Sequence, residues 1–351
     1  MNSRQKSTRL RDQLEQTFLK NIQMGRWAKN AKIPTEEVLI REYQASRSTI
    51  RRALKRLEDN GLIKAVQGMG RKVIANAENM PKTIGLLFPT GDLSSGIGYN
   101  YLRTLHQAVD EAGYSLSITA GSQLQPSPPD LHKLNGLLLT AQHLPPSEIR
   151  SLADQIPLVV IGHEASAAGV PSFFVDYGAQ TALATRFLLG RGHSRIAVTY
   201  GKKPYFYEAG LNMRKAYEWT LRLEGRDFSP GLIMPASLNR EGGRALYRQI
   251  REMHPGVTAL ISYGPATPLG MEEEADALGR KLSEELEIVC LNHFEDAKLP
   301  GWVHYFDCPY ERVAVDAFQE LLRAMDGAPS ADEAQHAYCG RLVADGMRGR
   351  P

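Results

Sequence analysis

Five of the ten residues from Arg47 to Arg56 are arginine or lysine, in a 351-residue chain whose formal net charge is only +3. Arg47, Arg51 and Lys55 recur at i, i+4 and i+8, while Ile50, Ala53, Leu54 and Leu57 keep the spacing of a separate apolar face. Ser46 or Ser48 is suited to cap the start, which sets Ser48, Thr49 and Arg51 on the first turns, and Gly61 ends the helix. A helix start that carries hydroxyls and guanidinium groups binds phosphate through its free N–H groups, and arginine reads guanine edges in the major groove. A basic run is equally the mark of a solvated surface face, so the flanking residues must decide.

The flanks place this helix in a motif. The residues IPTEEVLIREYQA read as a shorter helix with Val38, Leu39 and Tyr43 as its inner face, and QASR joins the two at helix-turn-helix spacing. After the basic helix, GLIKAVQGMGRKVIA reads as strand, glycine turn and strand, with QGMG at the tip of a two-stranded ribbon. An amphipathic helix from about Thr8 to Met24 supplies the third side of a small core. Charge separates in the same way. Residues 1–82 hold 18 basic and 8 acidic side chains, a balance of +10, and the rest hold 24 and 31, a balance of −7. A small basic head on a larger acidic body points to a polyanionic partner for the head.

Residues 8–76 resemble the winged helix-turn-helix of GntR-type transcription regulators. The likeness rests on the PTE entry, the SRSTIRRALKRL recognition helix, the GLI strand and the GMG wing. It implies that Arg47, Ser48, Thr49 and Arg51 contact DNA from the helix and Gln67 and Gly68 from the wing, with Lys55 and Lys72 expected on phosphate. The sequence departs from the pattern at Glu37, where some members place an arginine that contacts DNA.

From Thr83 the pattern changes. Apolar runs at 83–88, 114–119, 136–140, 157–162, 172–176, 195–200, 258–263 and 287–292 alternate with amphipathic segments at 100–112, 178–191, 208–224, 241–253 and 311–326. Such alternation predicts an α/β body with parallel sheets covered on both faces, in two lobes, with ligand at the carboxyl ends of the strands. This body resembles the effector-binding domain of LacI/GalR regulators, which is related to periplasmic sugar-binding proteins. TIGLLFPT, FFVDYGAQTALATRFLLGRGHSRIAVTYG and TALISYGPATPLG…EELEIVCLN carry the likeness. It implies a small sugar-like effector held by Asp176 and Asn292, with Tyr99, Tyr205 and Phe206 for stacking and Arg214 beside the position of a pocket arginine that falls on Met213. The Asn-Asp pair of the family falls on Gly264-Pro265, and its later pocket aspartate on Asn292. Asp176 also has a plainer reading as a helix cap, the aromatics near Tyr205 as lobe packing, and His193 as a turn residue.

Signatures of other activities fail. HEASA at 163–167 lacks the second histidine of a zinc protease, SSGIGYNY lacks the third glycine of a dinucleotide loop, and there is no G-x-S-x-G. Cys290, Cys308 and Cys339 are far apart in sequence and form no C-x-x-C pair. No apolar run is long enough for a membrane span, and the start of the chain lacks the apolar core of a signal peptide. The expectation is therefore a cytoplasmic homodimer without enzymatic activity, cofactor or metal, divided into a head (1–76), a linker (77–82) and a body (83–351). It is expected to bind a palindromic operator in double-stranded DNA and to repress carbohydrate genes. Two rival readings stand. The body has lost its ligand and serves as a dimerisation or protein-contact module, or the chain is a cytoplasmic sugar-binding or sugar-processing α/β protein.

Overall fold

The structure is a computed structural model that describes residues 14, 15, 17–19, 21, 22, 25–74, 82–88, 96–120, 131, 134–140, 144–202, 207–293, 298–327 and 335–344. Most of the expected linker lies outside these residues.

In the head, helix Glu36–Tyr43 is capped by Thr35, and helix Arg47–Asp59 by Ser46, whose hydroxyl accepts from the Thr49 N–H at 3.2 Å. The first helix turns over through Gln44, which adopts the left-handed conformation at φ 47°. Ile50, Ala53, Leu54 and Leu57 then close a core with Leu14, Phe18, Ile22, Leu39, Ile63 and Val73. Val38, expected on the inner face, points outward instead, 43% exposed, while Leu39 is fully buried. Strands β1 (Ile63–Val66) and β2 (Gly70–Val73) pair antiparallel as the wing. Their turn needs positive φ at Gly68 (71°) and Gly70 (82°), which glycine adopts without steric cost.

The described residues of the body form two sheets. The first has six parallel strands in the order β12-β7-β6-β5-β3-β4: β3 (Thr83–Phe88), β4 (Ser115–Ala120), β5 (Gly136–Leu139), β6 (Leu158–Ile161), β7 (Ser172–Val175) and β12 (Gln335–Tyr338). The second has the order β13-β11-β10-β9-β8, built from β8 (Ile196–Thr199), β9 (Ala259–Ser262), β10 (Glu287–Cys290), β11 (His304–Asp307) and the antiparallel β13 (Arg341–Val343). Strands β5, β6, β8 and β9 are buried along their whole length, as strands covered by helices on both faces must be. All eight expected strands are present, each shifted by a residue or two at most.

Among the described residues the chain passes between the lobes three times: from β7 into helix Tyr177–Gly190, from β11 into helix Tyr310–Met325, and from β12 into β13. These crossings are tied together. The Asp176 N–H donates to the Tyr338 carbonyl at 2.8 Å. A Cβ on Gly340 would lie 2.9 Å from the Asp307 carbonyl, so no larger residue fits there without movement. At the opposite end of the second sheet, His193 and His304 both donate through Nε2 to Glu287, at 2.7 and 2.8 Å, and Arg191 pairs with the same carboxylate. Burial pushes the Glu287 carboxyl up, but these hydrogen bonds outweigh it and hold the group below its usual range. His193 thus fastens the turn after helix Tyr177–Gly190, in keeping with its plainer reading.

Candidate functional site

The N-terminus of helix Arg47–Asp59 stands free of the head's core on one side. Arg47, Ser48, Arg51, Arg52 and Lys55 are exposed there. Thr49 is not among them: it is 6% exposed, and its hydroxyl lies 2.7 Å from that of Ser46. The helical period explains this, because position 49 adjoins Ile50 and Ala53 on the inner face. Arg51 is held in place by Glu36, to which its Nε donates at 2.8 Å. Glu36 also accepts from Arg71 at 3.2 Å, and Arg71 reaches on to Glu58 at 3.0 Å. Burial pushes the Glu36 carboxyl pKa up, but the hydrogen bonds and charges of Arg51 and Arg71 together outweigh it and hold the group below its usual range. Lys55 pairs with Asp59 at 2.6 Å on the exposed face.

The wing adds a feature that residue spacing does not reveal. Lys72 on β2 stands directly opposite Lys64 on β1, and on its other side bridges to Lys32. Three lysines therefore lie in one row across three backbone segments. Like charges directly opposite each other destabilise a sheet, and among the described residues no acidic partner relieves the row. Arg71, one residue earlier, faces the other way, onto Glu36 and Glu58. Gln67 and Gly68 form the exposed tip, next to the 47% exposed Met69. Lys32 and Lys64 escaped the sequence reading because only strand register brings them beside Lys72.

The second candidate lies between the lobes, at the carboxyl ends of β6 and β7. A cavity of about 200 Å³ is lined by Gly162, His163, Glu164, Asp176, Tyr177 and Asn212, among others. Asp176 has two roles here. Its Oδ1 accepts from the Ala179 N–H at 2.9 Å, capping helix Tyr177–Gly190, and it forms part of the cavity wall. Asn292 is fully buried, and its side chain is engaged by the protein itself. Its Oδ1 accepts from the Tyr177 hydroxyl at 3.0 Å and from that of Tyr310, while its Nδ2 donates to the Tyr263 carbonyl at 2.7 Å. Met213 is buried in the core shared by the two sheets, and Arg214 projects outward on the exposed side of helix Tyr207–Leu223, away from the cavity lining. Tyr205 and Phe206 lie outside the described residues. Tyr99 falls in helix Gly96–Glu111, and its side chain also lies outside them. Of the six expected effector residues, the structure therefore brings Asp176 to the cavity, encloses Asn292 and turns Arg214 away. It adds His163, Glu164 and Asn212. The histidine and glutamate sit in the HEASA segment, for which the sequence suggested only a failed zinc motif.

The described residues thus form a winged helix-turn-helix head and a two-lobed α/β body with largely parallel sheets. Residues 10–73 match the family described as bacterial regulatory proteins, gntR family, and residues 129–298 match the periplasmic binding proteins and sugar binding domain of LacI family. The chain thus joins a GntR-type head to a LacI-type body. It is 30% identical over 202 residues to the arabinose metabolism transcriptional repressor of Geobacillus stearothermophilus, covering 53% of this chain and 54% of that protein. It is 23% identical over 328 residues to the HTH-type transcriptional repressor CytR of Escherichia coli (strain K12), covering 91% of this chain and 92% of the relative. Three further relatives at 34–36% identity are matched over only 15–36% of their own length. Among solved structures, a LacI family transcriptional regulator from Enterococcus faecium with bound ribose superposes with a TM-score of 0.64 at 15% identity, over 75% of this chain and 97% of that one. At that identity the likeness is one of fold.

Proposed function

We propose that this chain is a sequence-specific transcription repressor of carbohydrate-related genes, acting as a homodimer on a palindromic operator and controlled by a small, neutral, sugar-like effector. The observation that carries the reading is the joint exposure of Arg47, Ser48 and Arg51 at a capped helix N-terminus in a head that also bears the lysine row. In this reading Arg47 and Arg51 contact base edges, with Arg51 aimed by Glu36. Ser48 and the wing tip Gln67-Gly68 contact the backbone or minor groove, and Thr49 serves the helix from inside. Residues 1–76 act as the head, 77–82 as linker and 83–351 as the effector and dimerisation body. A two-fold body that pairs two heads demands inverted half-sites. The reading assigns the chain no chemical step and sets it at work on cytoplasmic DNA.

The lysine row sharpens one expectation. Each phosphate contact contributes nearly one unit to the slope of log affinity against log salt. Lys32→Gln and Lys64→Gln should each flatten that slope by about 1 and weaken operator and unrelated duplex alike. Fluorescence anisotropy at several salt concentrations measures both. An unchanged slope would mean the row lies away from the backbone.

For the body, the test is selection of bound duplexes followed by thermal melting against neutral sugars, nucleosides and sugar phosphates. A ligand that binds only the folded state raises the melting temperature by mass action. A neutral sugar should do so, and Asp176→Ala should abolish the shift while leaving unliganded DNA binding in place. The reading in which the body is a dimerisation or protein-contact module is favoured by one observation, the internal engagement of Asn292. Absence of any shift across the panel at millimolar concentration would decide for it.

A further inference from the structure

Five buried side chains close the floor between the lobes. Tyr101 and Tyr310 come from helices packed on the six-stranded sheet, and Tyr177, Tyr263 and Asn292 from the other lobe. Tyr310 is the first residue of the helix after one crossing, and Tyr177 the first after another. Their hydroxyls lie 3.1 Å apart, and both donate to Asn292 Oδ1. The far end of the same amide donates to the Tyr263 carbonyl at 2.7 Å. The rings are packed as well: Tyr101 meets Tyr310 edge-on with centroids 5.4 Å apart, and Tyr177 lies 4.9 Å from Tyr263. Only a side chain with an acceptor at one end and a donor at the other satisfies both partners, and an amide does so without charge.

We infer that Tyr177, Asn292 and Tyr310 form an internal latch that holds the two lobes together with no ligand bound. The latch also restricts what can act as an effector. A compound that relies on hydrogen bonds from Asn292 finds that amide already used, so the effector is one that binds beside the latch, in the cavity walled by Asp176, His163 and Asn212. The latch itself stands independently of the regulatory reading, and this second clause rests on that reading.

The test uses the full-length chain without ligand. Tyr177→Phe and Tyr310→Phe, singly and together, remove the hydroxyls and keep the rings. Amide hydrogen exchange is followed by mass spectrometry at the three crossings, near residues 176–180, 308–312 and 338–341. The double variant should exchange there at least tenfold faster than wild type, with the interiors of β5, β6 and β9 unchanged, and its radius of gyration in X-ray scattering should rise. Tyr101→Phe, which touches the cluster by its ring, should behave as wild type. Unchanged exchange at the crossings, or faster exchange spread evenly over the whole body, overturns the latch; the single variants decide if the double one fails to fold. For the effector clause, the melting shift given by a neutral sugar should survive in Tyr310→Phe and vanish in Asp176→Ala. The reverse result overturns the clause. If no panel compound gives a shift, the clause falls together with the sugar-sensor reading, while the exchange experiment, which needs neither DNA nor ligand, still decides the latch.

Discussion

Asn292→Asp should destabilise the body by about 3–5 kcal/mol at neutral pH, the range for a charge left buried without a partner. The substitution changes almost no volume. It replaces the Nδ2 that donates to the Tyr263 carbonyl at 2.7 Å by an oxygen that, ionised, can only repel it. A protonated aspartic acid can donate there and still accept from Tyr177 and Tyr310, so the fold favours the neutral form. The folded-state pKa of this aspartate therefore lies above its unfolded value. The stability of the neutral form is fully present below the unfolded pKa and is lost as pH rises through the folded one. Burial raises the hydroxyls of Tyr101, Tyr177 and Tyr310, and it pushes the nearby thiols of Cys290 and Cys308 up to about 12 and about 11. Urea unfolding of variant and wild type at pH 5 and pH 8 tests this: the gap should widen with pH. A pH-independent gap, or a variant as stable as wild type, would show that the amide orientation is not what matters at this position.

The head offers the other large effect. Arg47→Ala and Arg51→Ala should each cost about 1–3 kcal/mol of operator affinity if the side chain makes a bidentate guanine contact. Together they should remove most of the preference for operator over scrambled duplex. Arg51 is expected at the upper end, because Glu36 fixes its guanidinium at 2.8 Å before DNA arrives and so reduces the ordering cost of binding. The fold should survive, since both side chains are exposed and Glu36 keeps Arg71 as a partner. Anisotropy titration with the selected operator and a scrambled control provides the measure. Retained discrimination in the double variant would remove Arg47–Asp59 as the reading helix.

Much of this molecule was legible in one dimension. The strands of a parallel sheet are buried on both faces, so they appear in the sequence as short apolar runs, and GLLL, LVVI, IAVT and ALIS could be placed directly. The recognition helix was equally open to reading, because its apolar stripe, its serine cap and its basic face all follow the helical period. The three strands after residue 300 were not foreseen. QHAY and RLV are edge strands that stay partly or fully exposed, and HYFD, covered by RLV on one side, alternates, so none of the three requires a continuous apolar run.

The basic head, the wing turn and the first eight strands of the body were thus determined by the sequence alone, since each depends on local period, turn chemistry or residue type. Tertiary structure decided the direction of each functional side chain. Register set Lys32 and Lys64 beside Lys72, the inner face of the helix took Thr49, and the packing of helix Tyr207–Leu223 turned Arg214 to the outside while burying Met213. The meeting of Tyr177, Tyr310 and Asn292 joins residues up to 133 positions apart. Sequence spacing carries no information about such a contact. It exists because three chain crossings bring two helix starts and one strand end to the same point, where burial requires every polar group to find a partner.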